Sequence, residues 1–213
     1  MTTISISRLP TVPAVEPKAE PLFKSAHAAL VFALNYSMQQ YDRPHMNRKA
    51  GGPAARPGKG LSGLDGAGQA GMVRVELSQL PPIQQAVLVA SIAPRQLPCD
   101  CNVSCCSGWK INQEWANAMS DLTAAAAAGA LSGCLSNARL RSMLIQRLFG
   151  AKVTLSKLAE DHEVDERTVS AHHAKLKRWL FGGVGEVGLH QRAGHALTQR
   201  LKACGWLDVT GDE

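Results

Sequence analysis

Aromatic residues are scarce in this chain of 213 residues, at 5% of the composition, and long apolar runs are missing. No apolar run reaches the roughly 20 residues of a transmembrane helix, which argues against a membrane-spanning protein. Residues 1–21 lack the basic start and apolar core of a secretory signal, so we expect a cytoplasmic location. Alanine and leucine are plentiful, and this composition predicts a mainly helical, all-α fold.

Recognisable catalytic motifs are also missing. The sequence has no Gly-x-Ser-x-Gly nucleophile elbow, no His-Glu-x-x-His zinc-protease motif and no convincing cluster of acidic residues. Lys59 follows a glycine, as in a phosphate-binding loop, but Gly60 stands where that loop needs a hydroxyl residue. His172 and His173 lie on or beside the apolar face of a predicted helix, which favours packing or phosphate contact over acid–base catalysis. The absences favour a binding protein over an enzyme.

The clearest pattern in the chain spans residues 154–180, TLSKLAEDHEVDERTVSAHHAKLKRWL. Apolar residues at helical spacing mark one short helix and, beyond a turn, one face of a second helix. These residues are Leu155, Leu158, Ala159, Val169, Leu176 and Leu180. Thr154 and Asp165 are the predicted N-caps of the two helices. The pattern is typical of a helix-turn-helix, whose second helix can enter the major groove of DNA.

The outward face of the second helix supplies the candidate DNA contacts. Arg167 can pair with guanine or phosphate, Ser170 can bond to either, and small alanines permit a close approach to the groove floor. With their flanks, the candidates are Glu166, Arg167, Ser170, Ala171, Ala174, Lys175 and Arg178. The alternative is an ordinary helical hairpin inside a core. Glu163 stands at the turn position that is often glycine in this motif.

The net charge of +6 is concentrated around this motif. Residues 139–202 hold 12 of the 23 basic side chains and 6 of the 17 acidic ones, which leaves 11 of each sign elsewhere. The basic residues that can follow DNA phosphates are Arg139, Arg141, Arg147, Lys152, Lys157, Arg167, Lys175, Lys177, Arg178, Arg192, Arg200 and Lys202.

A cluster of cysteines is the second notable feature. Four thiols within eight residues can supply a tetrahedral zinc site, with His162 or His173 as a substitute ligand. The four candidate ligands are Cys99, Cys101, Cys105 and Cys106. Their spacing differs from the usual paired CxxC turns, and adjacent cysteine side chains point apart. The alternative is a compact loop whose thiols pack as small apolar groups. Trp109 and Trp115, and the isolated Cys134 and Cys204, are predicted to lie in the core.

The chain divides into five predicted parts. They are a disordered tail (1–21), a helical N-terminal region (22–98) with a basic Gly/Pro loop (42–63), a cysteine loop with helices (99–150), the helix-turn-helix (151–182) and a C-terminal helix (183–213). Helices are predicted over residues 22–41, 64–80, 83–93, 112–128, 135–149 and 189–204, besides those of the motif. Glycines between 182 and 188 predict a flexible joint.

Several of these features occur together in one family. The order is Cys105-Cys106-Ser107-Gly108, a helix from Asn112 through Glu114-Trp115, an arginine-bearing helix ending in Leu-Phe-Gly, and LSKLAEDHEVDERTVSAHHAKLKRWLFG. Residues 99–182 thereby resemble phage late-gene antitermination proteins of the Q type, whose helix-turn-helix is similar to region 4 of sigma factors. The two CxxC pairs of the zinc-bearing branch of that family are absent from this sequence.

The resemblance implies a function in the cytoplasm of a host cell. Such a protein binds double-stranded DNA overlapping a late promoter, loads onto paused bacterial RNA polymerase with its sigma factor, and travels with the enzyme through terminators. The main alternative is a conventional helix-turn-helix regulator, whether repressor, activator or sigma-like, that acts only at initiation. A ring-forming small terminase subunit is a third alternative, although its motif lies near the N-terminus.

Overall fold

The computed structural model describes residues 21–36, 63–99, 101, 103–104 and 106–207. The helices in these ranges are α1 (Ala26–Asn35), α2 (Gly63–Ser78), α3 (Pro82–Ile92), α4 (Gln113–Ala128), α5 (Ala138–Leu148), α6 (Leu155–Asp161), α7 (Glu166–Phe181) and α8 (Leu189–Ala203). The strands are β1 (Gln96–Pro98), β2 (Trp109–Ile111), β3 (Gly182–Gly183) and β4 (Glu186–Val187). The predicted all-α fold is confirmed, since the strands form only two short hairpins.

The first 20 residues of the predicted tail and residues 42–62 of the predicted basic loop lie outside the described residues. The predicted helix over 22–41 is shorter in the described part of the chain, where it runs from Ala26 to Asn35. None of the helices in the described ranges is both long enough and apolar enough to cross a bilayer.

Side-chain caps set where several helices begin. The Asn112 side chain accepts a hydrogen bond from the Glu114 N–H at 3.1 Å, so α4 begins where the sequence predicted. The Asn137 side chain caps α5 by accepting from the Arg139 N–H at 2.8 Å. The predicted start of that helix at Leu135 is therefore wrong. Leu135 lies outside the helix and is fully exposed. The prediction placed it inside because it used apolar periodicity alone and did not recognise Asn137 as the cap.

The core is built mainly from leucine and alanine, and the last helix connects its parts. Leu197 and Leu201 are fully buried on α8, which packs against α1, α2, α3 and α7. The backbone N–H of Phe23, just before α1, donates to the carbonyl of Trp206, just after α8, at 3.1 Å. The two ends of the described chain therefore meet, although residues 36–187 lie between α1 and the N-cap of α8.

The first hairpin connects α3 to α4 and carries the cysteine loop at its tip. Its strands are antiparallel, with Leu97 opposite Lys110. Trp109 was expected in the core and is instead 56% exposed, because it lies on β2, a strand of a two-stranded ribbon whose three residues are all exposed. The neighbouring Trp115, on α4, is partly buried and packs against the core as expected.

The second hairpin replaces the predicted flexible joint. Gly182 has a φ of 85°, and Gly185 a φ of 79°, so both adopt the left-handed backbone that glycine tolerates. Gly188 has an ordinary φ, but a Cβ there would lie closer than 3.0 Å to backbone atoms of Leu180 and Phe181. The hairpin thus brings the start of α8 directly against the end of α7.

One further core prediction fails. Cys204 is exposed, because α8 ends at Ala203 and Cys204 follows as its C-cap rather than continuing the apolar face. Cys134 is half-buried and packs against the core.

Candidate nucleic-acid interface

A short turn with two backbone hydrogen bonds joins α6 to α7. The Val164 N–H donates to the Ala159 carbonyl at 3.0 Å, and the Glu163 N–H donates to the Glu160 carbonyl at 3.2 Å. Glu163 has a φ of 52°, so it adopts the left-handed conformation that glycine often supplies in such turns. The turn therefore forms although a side chain stands at its glycine position.

Both helices of the motif have the predicted caps. The Thr154 hydroxyl accepts from the Lys157 N–H at 3.2 Å. The Asp165 carboxylate accepts from the Arg167 N–H at 2.9 Å. These side chains satisfy backbone donors that have no partner inside the helix. Asp165 also places a negative charge at the positive end of α7.

The register of α7 is the predicted one. Val169, Leu176 and Leu180 are fully buried, and all of them point from α7 into the core. Leu158 on α6 is also buried, so the two helices pack through their apolar faces. Burying these positions leaves the opposite side of α7 facing outward.

All seven candidate DNA contacts are exposed on α7. Five of them line one shallow groove together with Leu155 of α6, and we call this the reading groove. Its lining residues are Leu155, Glu166, Arg167, Ser170, Ala171 and Ala174. The Glu166 carboxylate accepts a hydrogen bond from the Ser156 hydroxyl at 2.6 Å, a contact that the sequence did not indicate. Glu166 therefore links the start of α7 to α6 as well as facing the groove.

The other two candidates, Lys175 and Arg178, lie in a second groove beside the second hairpin. This hairpin groove also includes Trp179, Glu186 and Arg192. Arg178 donates from Nε and Nη2 to the two carboxylate oxygens of Glu186, both at 2.8 Å. This pair holds the pKa of Glu186 below its usual value, chiefly through the hydrogen bonds and then through the charge of Arg178.

Part of the predicted phosphate-tracking set makes contacts within the protein. Arg141 donates to the carbonyls of Thr123 and Ser136, and Arg147 donates to the carbonyl of Val153. Arg200 pairs with Glu76 at 2.8 Å. The sequence could not distinguish these basic residues from those that face solvent. A backbone carbonyl partner cannot be recognised from residue types, because every residue has one. The remaining exposed members include Arg139, Lys152, Lys157, Arg167, Lys175, Lys177 and Arg192.

The adjacent histidines of α7 have a packing role. His172 is only 5% exposed, and its Nδ1 is buried without a hydrogen-bond partner in the described structure. Burial lowers the pKa of His172, and the nearby charges of Lys175 and Arg141 lower it further. Burial also lowers the pKa of His173. Both imidazoles are therefore disposed to stay neutral, which agrees with packing rather than phosphate binding.

The cysteine loop folds back between the strands of the first hairpin. The Cys99 N–H donates to the Gly108 carbonyl at 2.8 Å, and the Cys106 N–H donates to the Val103 carbonyl at 3.0 Å. These bonds bring the Sγ atoms of Cys99, Cys101 and Cys106 within 4.8 Å of one another. Cys105, the fourth predicted ligand, lies outside the described residues.

The three thiols are close enough to bind a metal ion. Zinc–sulfur bonds of about 2.3 Å in a tetrahedron place sulfur atoms roughly 3.8 Å apart, a separation that lies within the span of the observed cluster. Hydrogen bonding lowers the pKa of Cys101, first from the Val103 backbone and then from the Cys106 and Cys99 thiols. The thiolate that a metal requires is therefore favoured at Cys101, whereas the hydrogen bond with Cys101 raises the pKa of Cys106. Neither predicted substitute histidine joins the cluster in the described structure.

No protein family, curated protein or solved structure was found to match the chain.

Proposed function

We propose that the chain is a DNA-binding phage transcription antiterminator, which acts on host RNA polymerase and its sigma factor at a late promoter. It is a binding protein rather than an enzyme and works in the host cytoplasm. The observation that carries the DNA-binding part is the exposed reading groove on α7, where Arg167 and Ser170 stand beside two alanines. Arg167 supplies a donor for guanine, and the alanines leave room for base edges.

The polymerase part of the proposal rests on the resemblance to Q-type proteins. A regulator that acts only at initiation would share the reading groove and its charge, so the DNA interface alone does not separate the two functions. The two functions differ in how long the protein stays bound to RNA polymerase. An antiterminator stays with the elongating enzyme, whereas an initiation regulator acts before the enzyme leaves the promoter.

In vitro transcription tests this distinction. The template begins at the late promoter of the genome that encodes the chain and carries an intrinsic terminator far downstream. We expect the protein to increase read-through on this template and to have little effect when the same terminator follows an unrelated promoter. Promoter occupancy without increased read-through would contradict antitermination and favour the initiation regulator.

Substitution of Arg167 tests the reading groove. A bidentate contact to guanine contributes about 1–3 kcal/mol of discrimination, so Arg167→Ala should lower affinity for a selected DNA site by roughly 5- to 150-fold. Lys24→Ala is the matched control, because it also removes one positive charge, from an exposed position outside the basic segment 139–202. Affinities are measured by fluorescence anisotropy at one salt concentration. Equal losses of affinity in the two variants would contradict the proposal that α7 recognises the DNA sequence.

We further propose that Cys99, Cys101 and Cys106 hold a zinc ion, with Cys105 as the candidate fourth ligand. Three clustered thiols form a soft donor set that suits zinc, and the ion would tie the loop to both strands of the first hairpin. Its role would be structural, since a metal bound only by the folded loop stabilises that loop.

Elemental analysis of the purified protein tests the zinc site. We expect about one zinc per chain, lost in Cys101→Ser and kept in Cys204→Ser, which changes an exposed cysteine outside the cluster. Protein purified without zinc that also fails to take up added zinc would contradict the site. The thiols would then be ordinary loop residues.

A further inference from the structure

The hairpin groove is lined by three cationic side chains and one carboxylate. Of the cations, Arg178 contacts the carboxylate, and the Nζ of Lys175 lies 3.2 Å from the Sγ of Cys134. Lys175 and Arg178 come from α7, Arg192 comes from α8, and Glu186 comes from β4. The half-buried Trp179 lines the same groove. A groove lined by cations from two helices is a suitable place for a phosphate, which arginine and lysine bind through charge-assisted hydrogen bonds.

The contact between Arg178 and Glu186 has the geometry of an anion site. Two guanidinium nitrogens each donate to a different carboxylate oxygen at 2.8 Å, the same two-point contact that arginine makes with phosphate. The side chains remain 69% and 56% exposed, so water screens the pair and competing anions can reach it. The carboxylate therefore occupies a place that a phosphate oxygen pair can take over.

The position of the groove relates it to the reading groove. Arg178 lies four residues beyond Ala174, so the two residues are on the same outward side of α7. When α7 reads bases through its first turns, its far end approaches the DNA backbone. The hairpin is fixed at the end of α7 by the close backbone contacts of Gly182 and Gly188, so Glu186 stays beside Arg178.

We propose that the hairpin groove binds a backbone phosphate of DNA through Lys175, Arg178 and Arg192, and that Glu186 fills this place in the free protein. This inference rests on the proposed DNA binding. It adds which residues contact a phosphate, and it adds that Glu186 competes with the phosphate for Arg178. Binding then exchanges a carboxylate for a phosphate on Arg178, and Glu186 reduces affinity for DNA of any sequence.

Glu186→Gln tests the inference, because it removes the competing charge and keeps the size of the side chain. Its matched control is Asp121→Asn, which makes the same charge change at an exposed position of α4, in the groove facing α2 and α3. A random-sequence duplex is the probe, and affinity is measured by fluorescence anisotropy over a series of salt concentrations. Melting curves of each variant confirm that it is folded.

We expect Glu186→Gln to bind the duplex about fivefold more tightly than wild type, and Asp121→Asn to differ by less than about twofold. In an Arg178→Ala background the gain from Glu186→Gln should fall to the control level, because the competed cation is gone. Equal affinities for Glu186→Gln and Asp121→Asn, with wild-type binding intact, would overturn the hairpin site alone. Absence of duplex binding by every protein at low salt would overturn the proposed DNA binding as well as the site.

Discussion

The two hairpins of this protein are held in shape by different means. The first closes a loop over residues 99–108 whose described thiols are exposed or half-exposed, so few buried side chains fix it. The second turns through Val184 and Gly185 and is closed by backbone atoms at Gly182 and Gly188. The first hairpin therefore has few buried side chains to hold it, and the second depends on side chains being absent. Perturbing each in turn tests this contrast.

Gly188→Ala should produce the largest effect. The new Cβ would overlap backbone atoms of Leu180 and Phe181, which cannot move without separating α7 from α8. We expect a loss of at least about 2 kcal/mol in the free energy of unfolding, as in other overpacked sites. Urea denaturation followed by circular dichroism measures it.

The control is Gly194→Ala, in the middle of α8, where a Cβ has open space. Alanine is a better helix former than glycine, so this variant should be more stable by about 0.5–1 kcal/mol. If Gly188→Ala were as stable as wild type, backbone contact would not be what closes the second hairpin.

Metal removal should affect only the first hairpin. If zinc ties the cysteine loop, a chelator should speed hydrogen exchange of the Cys99 and Asn112 amides, whose partners are the carbonyls of Gly108 and Arg95. We expect at least about tenfold faster exchange there and little change at Val187 in the second hairpin. Equal changes in both hairpins would show that the two are not independently stabilised.

Acid should weaken the flank of the second hairpin. The His190 ring packs near Phe181, with 5.8 Å between centroids, and burial lowers the pKa of His190, with a smaller effect from His27. The unfolded chain, with a histidine pKa of about 6.5, then binds protons before the folded protein does, so stability falls as the pH drops below that value. The lowered pKa values of His172 and His173 also reduce the stability of the folded protein as the pH falls.

His190→Phe should therefore flatten the loss of stability on acidification, while the exposed His195→Phe should leave it as in wild type. Urea melts at several pH values between about 7.5 and 5 measure the difference. A profile for His190→Phe that stays parallel to wild type would exclude His190 as a contributor.

The smallest effect is expected from Glu186→Gln on stability. The ion pair of Glu186 with Arg178 is exposed, so its loss should leave the melting temperature nearly unchanged. The substitution then affects DNA affinity without affecting the hairpin. A marked fall in melting temperature would instead make the pair a structural part of the second hairpin.

The helices were largely predictable because their signals are local. The apolar faces gave the register of α7, and Asn112, Thr154 and Asp165 marked where helices begin. The strands were missed because segments of two or three residues carry no measurable alternation. Trp109 was misplaced for the same reason, since an aromatic residue on an uncovered ribbon has the same sequence pattern as one in a core.

The candidate site was predictable only where it follows one helix. The reading face of α7 came directly from helical periodicity. The Arg178–Glu186 pair joins residues across a hairpin that was not predicted, and the structural bonds of Arg141 and Arg147 go to backbone carbonyls. The sequence predicted the candidate cysteine ligands. It could not predict that Cys99, Cys101 and Cys106 lie close together, because their positions depend on how the loop folds.

The packing of α8 has a consequence for how the protein is made. A ribosome adds about 5–20 residues per second, so Leu189 follows Asn35 after roughly 8–30 s. During that time α1, α2 and α3 lack the helix that covers them in the finished protein. A premature stop after α7 would therefore leave α6 and α7 intact in sequence but expose the apolar surface of α1, α2 and α3. Chaperones and proteases act on such surfaces in incomplete proteins.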